Sequence, residues 1–87
     1  MVNGGLRVWW IPQVPMKSFY FEIRRIEEGV ILCRALARYD EFQFKNNIKP
    51  DFCNAGGIEI FENGEWNGID NIDPFDKTWN YLFTITI

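Results

Sequence analysis

Histidine does not occur in the 87 residues, which removes the commonest general base, the Ser–His and Cys–His nucleophile pairs and every zinc site that needs imidazole. Cysteine is scarce. Cys33 and Cys53 are the two in the chain, with nineteen residues between them, so there is no CxxC-type metal pair. Cys33 falls on an apolar helical face, where a thiol behaves as a small hydrophobe, and reduced thiols fit a cytoplasmic setting. No apolar run approaches the roughly 18 residues of a membrane span, and no basic stretch leads into an apolar one at the start. Neither GxxxxGK[ST] nor GxGxxG occurs, so the usual phosphate loops are missing. Lys and Arg form no run, which disfavours a long nucleic acid as partner. Asp70, Asp73 and Asp76 are spaced by three with Pro74 and Phe75 between them, unlike the alternating oxygen ligands of a calcium loop. No metal and no cofactor are expected, and nothing supports paired-carboxylate catalysis.

What the chain does have is aromatic surface. Hydrophobic residues make up 47% and aromatics 17% of one chain of this length, enough for a single domain over residues 1–87 with one core. Four Trp, three Tyr and eight Phe exceed what a small core uses, so some rings are expected at a pocket or an interface. Charge is divided unevenly along the chain. Up to and including Lys49 there are eight basic and five acidic residues, and beyond it one and seven. Segregation of this kind can give a basic and an acidic face, suited to gripping an anion or to head-to-tail association.

Leu6 to Ile11 is rich in β-formers and ends at Pro12, and predicts a first strand. The connector Pro12-Gln13-Val14-Pro15-Met16-Lys17 is stiffened by its prolines. Ser18 to Ile23 alternates, so Phe19, Phe21 and Ile23 share one face and Tyr20 and Glu22 the other, in a second strand antiparallel to the first. From Ile26 the period becomes helical. Ile26, Val30, Cys33 and Ala37 line one side, widened by Leu32, Leu36 and Tyr39, with Glu27, Arg34 and Arg38 opposite. Asp40 would fall inside the apolar arc, so either the helix ends near it or a polar residue faces a site. Gly56-Gly57 reads as a turn. Ile58 to Phe61, Asn63-Gly64 and Glu65 to Ile69 read as a tight hairpin, with Asn67-Gly68 ending or bulging the return strand. The uncharged residues 78–87 have high β-propensity and predict a last strand, one that must pair inside the sheet or with another subunit, hence a homo-oligomer. The order β-β-α-β-β-β gives an α+β fold, a small antiparallel sheet with one amphipathic helix on one face.

Rings, amides and isolated cations recur together. Trp9, Trp10, Gln13 and Lys17 stand in the first hairpin, and Tyr39, Phe42, Gln43, Phe44, Asn46, Asn47, Lys49, Asp51 and Asn54 stand around the middle loop. A nucleobase needs a ring to stack on and amides or carboxylates to read its edge, while phosphates need cations or backbone N–H groups. In that reading Trp10 or Tyr39 stacks, with Phe42 beside them; Gln13, Asn46, Asn47, Asp51 and Asn54 read polar edges; and Lys17, Lys49 and Arg38 face phosphate. The bland alternative is that half of the rings are core and the asparagines cap turns.

The strings Trp10-Ile11-Pro12-Gln13-Val14-Pro15-Met16-Lys17, Tyr39-Asp40-Glu41-Phe42-Gln43-Phe44, and Asn46-Asn47-Ile48-Lys49-Pro50-Asp51-Phe52-Cys53-Asn54-Ala55-Gly56-Gly57, followed by Glu65-Trp66, resemble a family of short phage and prophage proteins known as superinfection exclusion proteins. The resemblance runs over roughly residues 6–66. It implies a phage protein acting in the host cell, and exclusion at the envelope would call for a membrane or exported segment that the sequence does not show. The expectation drawn here is a non-enzymatic, cytoplasmic counter-defence protein. It would bind and sequester a small anionic nucleotide signal of the cyclic nucleotide or cyclic ADP-ribose type, without membrane contact. The alternative is a superinfection-exclusion or host-takeover protein that inhibits a protein partner, such as a host defence protein, by direct binding.

Overall fold

The computed structural model describes residues 3–48, 54–69 and 71–83. Its elements run β1 (Leu6–Ile11), β2 (Phe19–Ile23), α1 (Ile26–Lys45), β3 (Ala55–Glu62), β4 (Glu65–Gly68) and a C-terminal 3₁₀ helix (Lys77–Phe83). The strands form one antiparallel sheet in the order β2-β1-β3-β4, and α1 lies on one of its faces, chiefly over β1 and β3. This is the small α+β architecture that the sequence predicts. No helix among the described residues is long and apolar enough to cross a membrane.

Alternation sorts the sheet. Opposed residues in antiparallel strands point to the same side, and the register sets Val8 between Phe21 and Ile58, and Leu6 between Ile23 and Ile60. Those residues face α1. Arg7, Trp9, Tyr20, Glu22 and Glu59 face the other way. The core is Val8, Trp10 and Ile58 from the sheet with Val30 and Cys33 from the helix; burying each aliphatic side chain contributes about 1.5–3 kcal/mol relative to exposure. At Gly29 α1 packs tightly on the sheet, since a Cβ there would lie 2.7 Å from Ile23 and 2.8 Å from Ile58.

The helix starts without a Ser, Thr, Asp or Asn cap. Glu28 does that work from inside the first turn: its Oε1 accepts the backbone N–H groups of Arg24 at 2.7 Å and Arg25 at 3.2 Å. At the far end the helix runs past Asp40 to Lys45 and closes in a Schellman motif. The Ile48 N–H reaches Gln43 O at 2.8 Å, the Asn47 N–H reaches Phe44 O at 3.1 Å, and Asn47 takes φ 60°, a value that Asn tolerates better than most residues. The β3–β4 turn is the expected hairpin, with Asn63 and Gly64 both at positive φ.

Two expectations are corrected. Gly56 and Gly57 make no turn; they lie inside β3, opposite Trp10 and Trp9 respectively. A Cβ at Gly56 would come 2.0 Å from the Trp10 ring, and one at Gly57 would come 2.9 Å from Trp9 Nε1. Each glycine admits an indole onto one face of the strand. The expected strand over 78–87 is, in its described part, the 3₁₀ helix; residues 84–87 of it lie outside the described residues. Asp76 starts the helix by accepting the Thr78 N–H at 2.9 Å, and Trp79, Leu82 and Phe83, at i, i+3 and i+4, pack against the core. Local capping and burial outweigh β-propensity, which is a weak preference.

Candidate functional site

The elements create a groove where the start of the β1–β2 connector and the beginning of β2 pass the second half of α1. Trp10, Pro12 and Phe19 form its sheet side and Leu36, Tyr39, Asp40 and Gln43 its helix side, around about 360 Å³. At its base Asp40 is a buried carboxylate, only 3% exposed. Asp40 Oδ2 accepts the Trp10 indole N–H at 2.9 Å and the Asn54 amide at 2.9 Å. A carboxylate is tolerated in an apolar arc when hydrogen bonds replace its water, which is why the helix continues through this position. Trp10, 3% exposed, is therefore a wall fixed in the core, with its ring over Gly56, rather than a free stacking platform. Asn54 acts as a brace for Asp40.

The other predicted residues disperse. Tyr39 is 57% exposed and stacks on Phe42, with ring centroids 6.4 Å apart and planes at 11°. Phe42 then turns toward a second depression, shared with Arg38, Glu41 and Lys45. Glu41 pairs with Lys45 at 2.7 Å, and the ammonium group holds the Glu41 carboxyl below its ordinary range. Gln13 is half-buried and Lys17 exposed in the connector; neither they nor Arg38 line the groove. Asn46 bonds Phe42 O through its side chain at 2.8 Å, and Asn47 occupies the left-handed position of the helix stop, so both serve the helix end. Lys49 and Asp51 lie outside the described residues. The structure thus brings Trp10, Tyr39 and Asn54 together around Asp40. The described groove lining contains an acid and no cation, so the phosphate half of the expected site has no geometric support there.

Three side chains matter that the predicted set of rings, amides and cations leaves out. Asp40 is one: its place in the apolar arc marks it in the sequence as a polar residue that could face a site, and the structure puts it in the groove lining. Arg34, assigned to the polar side of the helix, clamps the C-terminal segment: its guanidinium donates to Pro74 O, Asp76 O and Asn80 Oδ1, each at 2.8 Å, and lies 4.7 Å from the Phe83 ring centroid. On the face away from α1, Arg7 is sandwiched between Tyr20 at 3.8 Å and Trp66 at 4.2 Å and paired with Glu59 at 2.8 Å. Arg7 thus has two aromatic rings and a carboxylate as partners for its guanidinium. Cys33 is buried as expected, and burial pushes its thiol up to about 11.

Comparison with known proteins agrees with the resemblance seen in the sequence strings. A superinfection exclusion protein of Salmonella phage P22 is 61% identical over 57 residues, which make up 66% of this chain and 55% of that protein. The match therefore spans little more than half the length of the relative. No solved structure matches. The family model for superinfection exclusion gene product 17 matches residues 5–86. With almost its whole length matched, the chain belongs to the phage superinfection exclusion gene product 17 family.

Proposed function

We propose that the protein works in superinfection exclusion by binding, without catalysis, to a protein partner in the host cytoplasm and inhibiting it, and that the groove between Phe19 and Tyr39 is the contact. The observation that carries this reading is the composition of the groove: apolar walls, Asp40 and Gln43 as the polar groups, and no cation among the described lining residues. Such a lining suits an apolar side chain presented by a polypeptide, with polar groups to orient it. The exposed rings of Tyr39 and Phe42 next to it supply the rigid aromatic area on which protein interfaces concentrate their energy.

The test is a plating assay in a host that expresses the protein and is challenged with a second phage. Tyr39→Ala and Gln43→Ala, checked for a retained fold by circular dichroism, are expected to weaken partner binding at least tenfold, about 1.4 kcal/mol, and to lower exclusion accordingly. A photo-crosslinker at position 39 should capture the same host or phage protein in repeated infections. Full exclusion by both variants would overturn the assignment. Retention of an intact nucleotide in native mass spectrometry, lost in Tyr39→Ala, would return the site to nucleotide sequestration.

A further inference from the structure

Strand β2 is an edge of the sheet with no other described strand on its outer side, and it has few of the features that normally keep an edge from pairing. Such edges are blunted by Pro, Lys, bulges, shortness or a covering element. The opposite edge, β4, follows that pattern, being four residues long with Glu65 at its start. By contrast, β2 reads Phe19-Tyr20-Phe21-Glu22-Ile23, and its three rings are each about half exposed. The layer above is open as well. Because α1 lies chiefly over β1 and β3, the seam between β2 and the helix holds two gaps: the groove of about 360 Å³ at the Phe19 end and one of about 270 Å³ at the Phe21–Arg24 end, reaching Glu28 and Leu32.

We infer that β2 pairs antiparallel with β2 of a second copy about a two-fold axis through Phe21, joining two four-stranded sheets into one of eight. The sequence of the strand is self-complementary in that register. Phe21 meets Phe21 of the second copy, Phe19 meets Ile23, and Tyr20 meets Glu22. Aromatic pairs and aromatic with β-branched pairs are favourable across antiparallel strands, and the Tyr20 hydroxyl is a donor facing the Glu22 carboxylate, an acceptor. The neighbouring two-fold registers are worse. Centring on Glu22 sets two carboxylates face to face, and centring on Tyr20 draws Lys17 into the apolar row opposite Ile23. Only the Phe21 register uses all five strand residues. It also orders the seam: each Phe19 groove would be bordered by Ile23 and Arg24 of the second copy, so the groove is incomplete in a single chain. A two-fold contact of this kind closes on itself and gives a dimer, with no route to a filament along this edge.

Sedimentation equilibrium of the full chain over a wide concentration series should give twice the 10.3 kDa chain mass, and Phe21→Lys should return it to one chain, while the remote Phe42→Lys should not. Cross-linking keeps the inference open to refutation even if Phe21→Lys fails to fold. In a Cys53→Ser background, with Cys33 buried, Phe21→Cys should form a disulfide-linked dimer on mild oxidation, because position 21 faces itself across the two-fold axis and directly opposed Cβ atoms, about 4.5–5.5 Å apart, need close by only about 1 Å to reach disulfide range. A mixture of Tyr20→Cys and Glu22→Cys chains should cross-link with each other and not with themselves. A single-chain mass at every concentration, or a multimer that ignores Phe21→Lys and does not cross-link at position 21, would overturn it. Because none of these readouts involves exclusion or partner capture, they stand or fall apart from the proposed function.

Discussion

Trp9 and Trp10 are neighbours in sequence, and the sheet separates them. Trp10 enters the core with its N–H on Asp40 at 2.9 Å, while Trp9 lies half-buried on the other face. The two glycines that face them permit this, and the demand on each differs. At Gly56 an added Cβ would meet buried ring carbons at 2.0 to 2.9 Å, whereas at Gly57 it would meet the edge of a half-buried indole at 2.9 Å and beyond. Gly56→Ala is expected to destabilise the fold by about 1–3 kcal/mol or more through overpacking, and Gly57→Ala by clearly less. Urea denaturation of the two variants side by side measures the difference, and equal midpoints would show that the Trp10 ring is free to move. Asp40 belongs to the same assembly, because its carboxylate accepts from both Trp10 and Asn54.

Among the elements, the start of α1 and the C-terminal segment are held by charged side chains that a helical wheel places at the surface. Glu28 accepts two backbone N–H groups at the start of α1, chiefly that of Arg24, and its carboxyl is held below the ordinary value of 4.5. Glu41 is likewise lowered by Lys45, and Asp76, below 3.8, by the Thr78 N–H. A depressed carboxyl stabilises the fold in full above its unfolded value and loses that contribution as pH falls through its folded value. The melting temperature should therefore decline on acidification below about 4.5, with a shallower decline in Glu28→Gln. Arg34 is the second anchor. Lysine carries its three N–H donors on a single nitrogen and has no flat face to lay over Phe83, so it cannot span acceptors that Arg34 reaches from three separate nitrogens; Arg34→Lys should therefore loosen residues 71–83 selectively, seen as faster amide exchange there with protection in the sheet unchanged. How much of this was legible in the sequence follows from the range of each signal. Strands β1 and β2, the Asn63-Gly64 hairpin and the start of α1 rest on local alternation, turn chemistry and helical period, and their positions match. The role of Gly56-Gly57, the course of residues 77–83 and the task of Arg34 depend on what lies opposite in space, across 40 to 46 residues in the case of Arg34. The groove is half legible: the sequence offers Trp10, Tyr39 and Asn54 as a set and Asp40 as a polar residue that could face a site, but that its carboxylate joins Trp10 to Asn54 depends on partners 30 and 14 residues away.

The whole molecule is a slab of 42 × 39 × 18 Å, its least dimension fitting one sheet and one helix layer, so its interior is small. Cys33 sits in the middle of it, fully buried, with a thiol raised to about 11 by that burial. It should resist thiol reagents in the native state and react only through opening of the fold, so that where reclosing outpaces the reagent, the slowing of its labelling relative to a free thiol measures the stability of that opening. The two halves of the sequence, uneven in charge, meet in the fold. Arg7 from the basic half pairs with Glu59 from the acidic half, and Arg34 reaches into the segment beyond residue 70. That last contact bears on how the chain tolerates change. Two of the three acceptors of Arg34 are carbonyl oxygens, of Pro74 and Asp76, which every amino acid carries. At those two points the attachment reads the path of the backbone and not the side chains along it, whereas Asn80 and Phe83 meet the arginine through theirs, so this contact leaves residues 74 and 76 free to drift and ties residues 80 and 83.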